Sequence, residues 1–183
     1  MIGAGPAGCT AAHGLARRGA RVAIVDGSHP REKACGGGVT GRALDLLSKE
    51  AVRTVAGGQP IDRAVFEVDD RRAAFRLDEP IMRVFARESF DRTLLDAAIE
   101  AGSTYVPSRA TAIERDAGGW IVRTSAGRIR ARWLVGADGP SGIVRKQVFR
   151  PFQRSQLSIA AGSFVDATDV SEIVVRPPKQ LAL

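Results

Sequence analysis

Three glycines close to the start, Gly3-x-Gly5-x-x-Gly8, constrain this chain more than any other feature, because Ala12, Leu15, Gly19, Val22 and Asp26 follow them at fixed spacing. In a turn that opens a helix, each glycine has its own physical task. Gly3 permits the tight bend, Gly5 lets backbone approach a pyrophosphate, and Gly8 lets the helix pack on a sheet. The phosphates would sit at the helix N-terminus, where free N–H groups and the dipole favour negative charge. Asp26 ends the next strand and is placed to accept hydrogen bonds from the ribose hydroxyls of an adenosine, and its charge repels a 2′-phosphate. The first nucleotide is therefore expected to be FAD or NAD, not NADP.

Periodicity supplies the surrounding elements. Residues 9–18 carry Ala11, Ala12, Leu15 and Ala16 at helical spacing, Gly19 stops that helix, and residues 21–25 read as a buried strand. Only Met1 and Ile2 precede Gly3, so the first strand reads as cut short. Residues 27–41 form a glycine-rich loop, and helical spacing returns over 42–55. Two extended runs, 64–68 and 73–77, flank Asp69-Asp70-Arg71-Arg72 as a hairpin, and 81–86 is another extended run. Ser89 is the expected cap of a helix lined by Phe90, Leu94, Leu95, Ala98 and Ile99. Thr104-Tyr105-Val106 is a short strand, 110–132 a three-run antiparallel meander, and Trp133-Leu134-Val135-Gly136 is apolar enough to re-enter a central sheet. Strands are expected again at 157–165 and 173–175.

Composition narrows the classes. With 183 residues, 44% hydrophobic and 26% charged, the chain is globular, and no run approaches the roughly 18 apolar residues of a membrane span. The net charge of +7 draws heavily on residues 121–150. Only 5% of residues are aromatic and no nucleic-acid-binding pattern occurs, so that basic stretch reads as a solvated hairpin face or an attraction for phosphate-bearing cofactors, not as a nucleic-acid site. Cys9 and Cys35 make no disulfide framework, and two histidines without ligand spacing make no metal site. The expected setting is the cytoplasm, with any membrane contact confined to the surface. Neither His13 nor His29 has a carboxylate or hydroxyl partner suggested by spacing, so neither is assigned as a general base.

Two later segments separate a flavoprotein from an NAD dehydrogenase. Trp133-Leu134-Val135-Gly136-Ala137-Asp138-Gly139 resembles the strand and GADG motif of FAD-dependent monooxygenases and their reductase relatives, and Arg87-x-x-Phe90-Asp91-x-x-Leu94-Leu95 resembles their arginine-headed helix. Within that group, Lys33-Ala34-Cys35-Gly36-Gly37-Gly38 is similar to a loop of the geranylgeranyl reductase family. The resemblance implies an α/β fold: a Rossmann-like FAD/NAD(P)-binding domain over 1–150, with an antiparallel meander and an inserted hairpin at about 62–86. It also implies an incomplete start of an antiparallel substrate-binding sheet over 151–183.

The same resemblance implies reduction of isoprenoid C=C bonds by hydride from reduced flavin, with NAD(P)H as an expected donor. The implied cofactor residues are Gly3, Gly5, Gly8, Asp26, Cys35, Gly36, Gly37, Gly38, Arg87, Asp138 and Gly139. Cys35 would face the flavin as the candidate catalytic group, or else fill space as a small buried residue. Arg31, Lys33 and Arg42 would steer phosphate or simply be solvated. Asp26 stands where the family more often has glutamate, and Gly142 where serine is usual, with Ser141 one step early. A flavin monooxygenase or halogenase, and a non-catalytic nucleotide-binding fragment, remain the alternatives.

Overall fold

A computed structural model describes residues 1–47, 57–76, 82–157, 161–162 and 171–177. Its elements in chain order are α1 (Pro6–Ala16), β1 (Ala23–Val25), β2 (Gly38–Thr40), α2 (Gly41–Leu44), β3 (Gln59–Ile61), β4 (Arg63–Val68), β5 (Arg71–Arg76), β6 (Met82–Val84), α3 (Arg87–Glu100), β7 (Thr104–Val106), β8 (Ala110–Asp116), β9 (Gly119–Thr124), β10 (Gly127–Ala131), α4 (Ile143–Val148), a 3₁₀ turn (Arg154–Gln156) and β11 (Glu172–Val175).

The parallel layer is made of very short pieces. β7 pairs with β1, Ile2 bridges Val25, and Ile2 also bridges Gly136, all in parallel. The spatial order is thus β7, β1, the Ile2 segment and the Gly136 segment, the third-second-first-fourth order of a doubly wound nucleotide fold. The stretch from Trp133 does re-enter the central sheet, through bonds from Ile2 N–H to Val135 O and from Ala137 N–H to Ile2 O. Trp133 itself stays exposed.

Small residues on α1 let it approach α3 closely. Cys9 and Ala12 from α1, Ala4, Ile24, and Phe90, Leu94, Leu95 and Ala98 from α3 form one core. Leu15 and Ile99, expected on the same faces, are largely exposed, because the short side chains already fill the seam. A second core joins Ile2 and Val25 to Ile113, Val122 and Val144, locking the meander β8-β9-β10 and α4 onto the sheet.

Several boundaries differ from the sequence expectation. Pro6 opens α1 three residues earlier, at a position where its missing N–H costs nothing. Ser89 does not cap α3, which starts at Arg87 after an Ala86 with no side-chain cap. Glu32 does that work from a distant loop, its carboxylate accepting the Arg87 and Glu88 N–H groups. The helix expected over 42–55 is seen as α2 only, and residues 48–55 of it lie outside the described residues, as do Leu77, Ile81 and residues 158–160 and 163–165. The hairpin β4-β5 forms as expected, with Asp69 in the left-handed region at its turn. β11 joins it parallel to β4, so this sheet is mixed and not purely antiparallel. β2, β6 and β3 form a further antiparallel sheet.

The basic stretch is partly paired by acids from β8: Arg123 with Glu114 at 2.8 Å and Arg130 with Asp116 at 2.7 Å. It reads as a solvated hairpin face. Among the described residues no helix is long and apolar enough to cross a membrane, and no cluster of metal-ligating side chains occurs.

Candidate functional site

The first turn is built where backbone meets backbone. Gly3 has φ 102°, and any Cβ there would run into the Ala137 carbonyl; a Cβ on Gly8 would run into the Gly3 carbonyl. Both positions therefore exclude every other residue. Gly5 faces open space, with only His29 Nε2 within 4 Å of where its Cβ would stand. The start of α1 has neither a side-chain cap nor an acidic residue in its first turn. Its N–H groups are thus left to an incoming anion.

Because Gly3 packs on Ala137, the first turn and the later acidic bend share one cleft of about 910 Å³. Gly3, Gly5, Asp26, Asp138 and Gly139 line it, while Gly8 stands behind the turn. Arg31, Lys33 and Arg109 also border it, giving it a positive rim suited to a pyrophosphate. Arg109 was not expected from the sequence, and nothing local marks it: it arrives because the backbone of residues 108 and 109 packs on Gly27. Burial pushes the Lys33 ammonium below its ordinary pKa. Arg42 sits on α2, away from the cleft lining.

Asp138 is half-buried, and its Oδ2 accepts the Val144 N–H at 2.9 Å. Its Oδ1 has no hydrogen bond among the described residues. This pose explains the glycine at 142, since a Cβ there would overlap the Asp138 carboxyl group.

Asp26 is more heavily engaged. Oδ2 accepts Ala4 N–H at 2.9 Å and meets His29 Nδ1 at 2.8 Å. Oδ1 accepts Ser28 N–H at 2.7 Å, Ser28 O–H at 3.0 Å and His29 N–H at 3.1 Å. Burial works to raise this carboxyl group, but the Ala4 and Ser28 amides with His29 outweigh it and hold its pKa below the usual range. The Tyr105 O–H closes the loop from between two carbonyls, His29 O at 2.7 Å and Asp26 O at 2.9 Å, which share its one proton. His29 thus has the carboxylate and hydroxyl neighbours that spacing did not suggest, and the Asp-x-Ser-His order of an Asx-type turn was the available signal.

Cys35, Gly36, Gly37, Gly38 and Arg87 do not line this cleft. Cys35, Gly37 and Arg87 instead stand together, the Cys35 sulfur meeting the Gly37 N–H and the Arg87 guanidinium. Arg87 grips the fully buried Asp91 with contacts of 3.0 to 3.2 Å. Cys35 is exposed, so it is not a buried packing residue. The Gly37 N–H and then the Arg87 guanidinium lower its thiol pKa. By contrast, burial, aided by the Asp91 and Asp26 charges, pushes the Cys9 thiol up to about 12. The three glycines also differ in purpose. Gly37, at φ 69°, is required because a Cβ would strike the Phe85 carbonyl, whereas Gly36 alone has empty space beside it.

Residues 1–181 match the family described as FAD binding domain. Among curated proteins, the chain is 30% identical over 157 residues to the geranylgeranyl diphosphate reductase of Rhodobacter capsulatus, covering 81% of this chain and 39% of that protein. It is 27% identical over 160 residues to digeranylgeranylglycerophospholipid reductase 3 of Methanosphaera stadtmanae, covering 80% and 40%. A solved flavoprotein/dehydrogenase from Cytophaga hutchinsonii shares the fold at a TM-score of 0.70 and 23% identity, over 96% of this chain and 48% of that one. The chain spans about 40% of the length of these two curated relatives.

Proposed function

The chain belongs to the FAD binding domain family, whose cofactor is FAD, and from that premise we propose that it is the cofactor-gripping part of an oxidoreductase that saturates C=C bonds of an isoprenoid. The convergence of the first turn and the Asp138 bend on one cleft carries this reading. A pyrophosphate suits the uncapped start of α1, the bare backbone at Gly5 and the cations Arg31, Lys33 and Arg109. Asp26 and Asp138 accept hydrogen bonds from sugar hydroxyls, Gly139 leaves room beside Asp138, and Gly3 and Gly8 shape the turn.

FAD, once bound and reduced by the electron donor, would supply the hydride; the protein supplies orientation and electrostatics. The loop of Cys35, Gly36, Gly37 and Gly38 faces the flavin, with Gly36 as its open point. Arg87 serves the cofactor indirectly, by fixing Asp91 and favouring the thiolate form of Cys35 through its hydrogen bond and charge. The isoprenoid substrate rests on the two reductases named above and on the Lys33-x-Cys35-Gly36-Gly37-Gly38 loop, and NAD(P)H is the expected source of electrons.

The visible absorption spectrum of the purified protein tests the cofactor. A flavin band, released on denaturation and identified as FAD instead of FMN, is expected; a colourless protein that ignores added FAD overturns the reading. Incubating the flavin-loaded protein with a reductant and a polyprenyl diphosphate, in parallel with and without oxygen, tests the reaction. The product should gain two hydrogens per saturated bond, whereas oxygen-dependent gain of one oxygen atom would replace the reductase with a monooxygenase.

A further inference from the structure

The role proposed above makes no use of His29, although this side chain is only 8% exposed and stands between two carboxylates from different elements. Its Nδ1 lies 2.8 Å from Asp26 Oδ2 and its Nε2 3.6 Å from Asp91 Oδ2. Nε2 is buried with no hydrogen-bond partner among the described residues. Asp91 is already neutralised by Arg87, so the ring is held chiefly from its Nδ1 side. An ionised carboxylate only accepts, so Nδ1 must carry the hydrogen it shares with Asp26.

Counting donors on Asp26 gives the consequence. Oδ2 is filled by the Ala4 N–H and the His29 ring, one fixed by the turn and the other by burial. Oδ1 holds two backbone N–H groups and the Ser28 hydroxyl. Of these five donors, only the Ser28 hydroxyl is on an exposed side chain and can rotate away. Five donors already fill or exceed the roughly four lone-pair sites of a carboxylate, so an incoming hydroxyl enters only by displacing one of them; the Ser28 hydroxyl can leave and no second donor can.

We propose that His29 is a positioning residue that commits Asp26 Oδ2 to the protein, so that a single ribose hydroxyl of the adenosine is read by Oδ1, in the place now taken by the Ser28 hydroxyl. This rests on the FAD reading and adds to it an unequal recognition of the two hydroxyls. His29 touches no reacting atom.

The test is titration of the flavin-free protein with FAD and with two FAD analogues lacking the adenosine 2′- or 3′-hydroxyl. One analogue should bind about tenfold more weakly than FAD and the other within about twofold, since a hydrogen bond to a charged group is worth that much. His29→Phe frees Oδ2, and the two losses should converge. His29→Asn keeps an N–H near the Nδ1 position and should preserve the inequality, a rescue that simple packing would not give. Ser28→Ala removes the competing hydroxyl and should tighten FAD about twofold. Equal losses in the parent protein, an inequality untouched by His29→Phe, or matching behaviour of the Asn and Phe variants would overturn the proposal while leaving FAD binding intact. If His29→Phe fails to fold, the parent inequality and Ser28→Ala decide the matter. A parent protein that binds no FAD defeats the underlying reading, and His29's role with it.

Discussion

The turn over residues 2–8 and the loop over residues 26–38 both reach the cleft, the loop through residues 26–29, 31 and 33, but they are held in different ways. In the first region, the carbonyls of Ala137 and Gly3 occupy the space that a Cβ on Gly3 or Gly8 would need, and mainly backbone bonds, with Asp26 on the Ala4 N–H, hold the turn. In the second, side chains from four places hold an irregular loop: Asp26 at the end of β1, Tyr105 on β7, Asp91 on α3, and Glu32 reaching from the loop to the start of α3. The contrast teaches that the turn should be intolerant of added atoms and the loop, Gly37 apart, intolerant of lost hydrogen bonds and charges.

The largest effect is expected at the turn. Gly8→Ala should cost about 3 kcal/mol, because its Cβ meets rigid backbone, and Gly36→Ala, with nothing near it, should cost well under about 1 kcal/mol. Denaturant midpoints of both variants measure the gap; equal midpoints would erase the distinction between the regions.

Next comes Asp91→Ala. Breaking a buried pair typically costs about 3 kcal/mol or more, but Arg87 keeps some contact with water, so about 2 kcal/mol is expected. Thermal unfolding of this variant beside Arg87→Ala reports whether the loop is anchored through charge. Asp138→Ala removes the bond to the Val144 N–H and should cost about 1 kcal/mol as a lost helix cap. It should also weaken FAD about tenfold if the free oxygen holds a sugar hydroxyl; unchanged retention in equilibrium dialysis would take Asp138 out of the site.

A smaller effect follows from acid. The folded-state pKa of Asp26 is lowered, so its contribution is complete above the unfolded carboxylate value of about 4 and disappears as pH falls through the folded value. Unfolding free energy should drop more steeply below about pH 4 in the parent protein than in Asp26→Asn. The smallest effect touches reactivity alone. Cys35, exposed and with a lowered pKa, should be alkylated by iodoacetamide below the ordinary thiol pKa of about 8.5, and Cys9 should resist until the protein unfolds. Mass spectrometry after native labelling distinguishes them.

Much of this was legible in local sequence. The roles of Gly3 and Gly8, the strand ending at Asp26, the hairpin over 64–76 and the meander over 110–132 all follow from steric need or from short-range periodicity. Reading failed where a residue's partner lay far along the chain. Ser89 looked like a cap, yet the start of α3 is satisfied by Glu32, 55 and 56 positions away from the residues it bonds. His29 was a different kind of miss: its second carboxylate, Asp91, lies on a helix that the loop meets only after folding, but its nearer one, Asp26, stands three positions before it. The need for glycine at position 37 also comes from afar, from the Phe85 carbonyl just past β6.

What the sequence determined by itself was the nucleotide-binding unit and the type of group it grips, because glycine geometry, helix dipole and charge act over a few residues. Only the tertiary structure decided which donors occupy each oxygen of Asp26 and Asp138 and how Cys35 acquires its acidity. Those properties are sums over donors from separate elements, and spacing along one strand of sequence carries no record of which distant N–H will arrive.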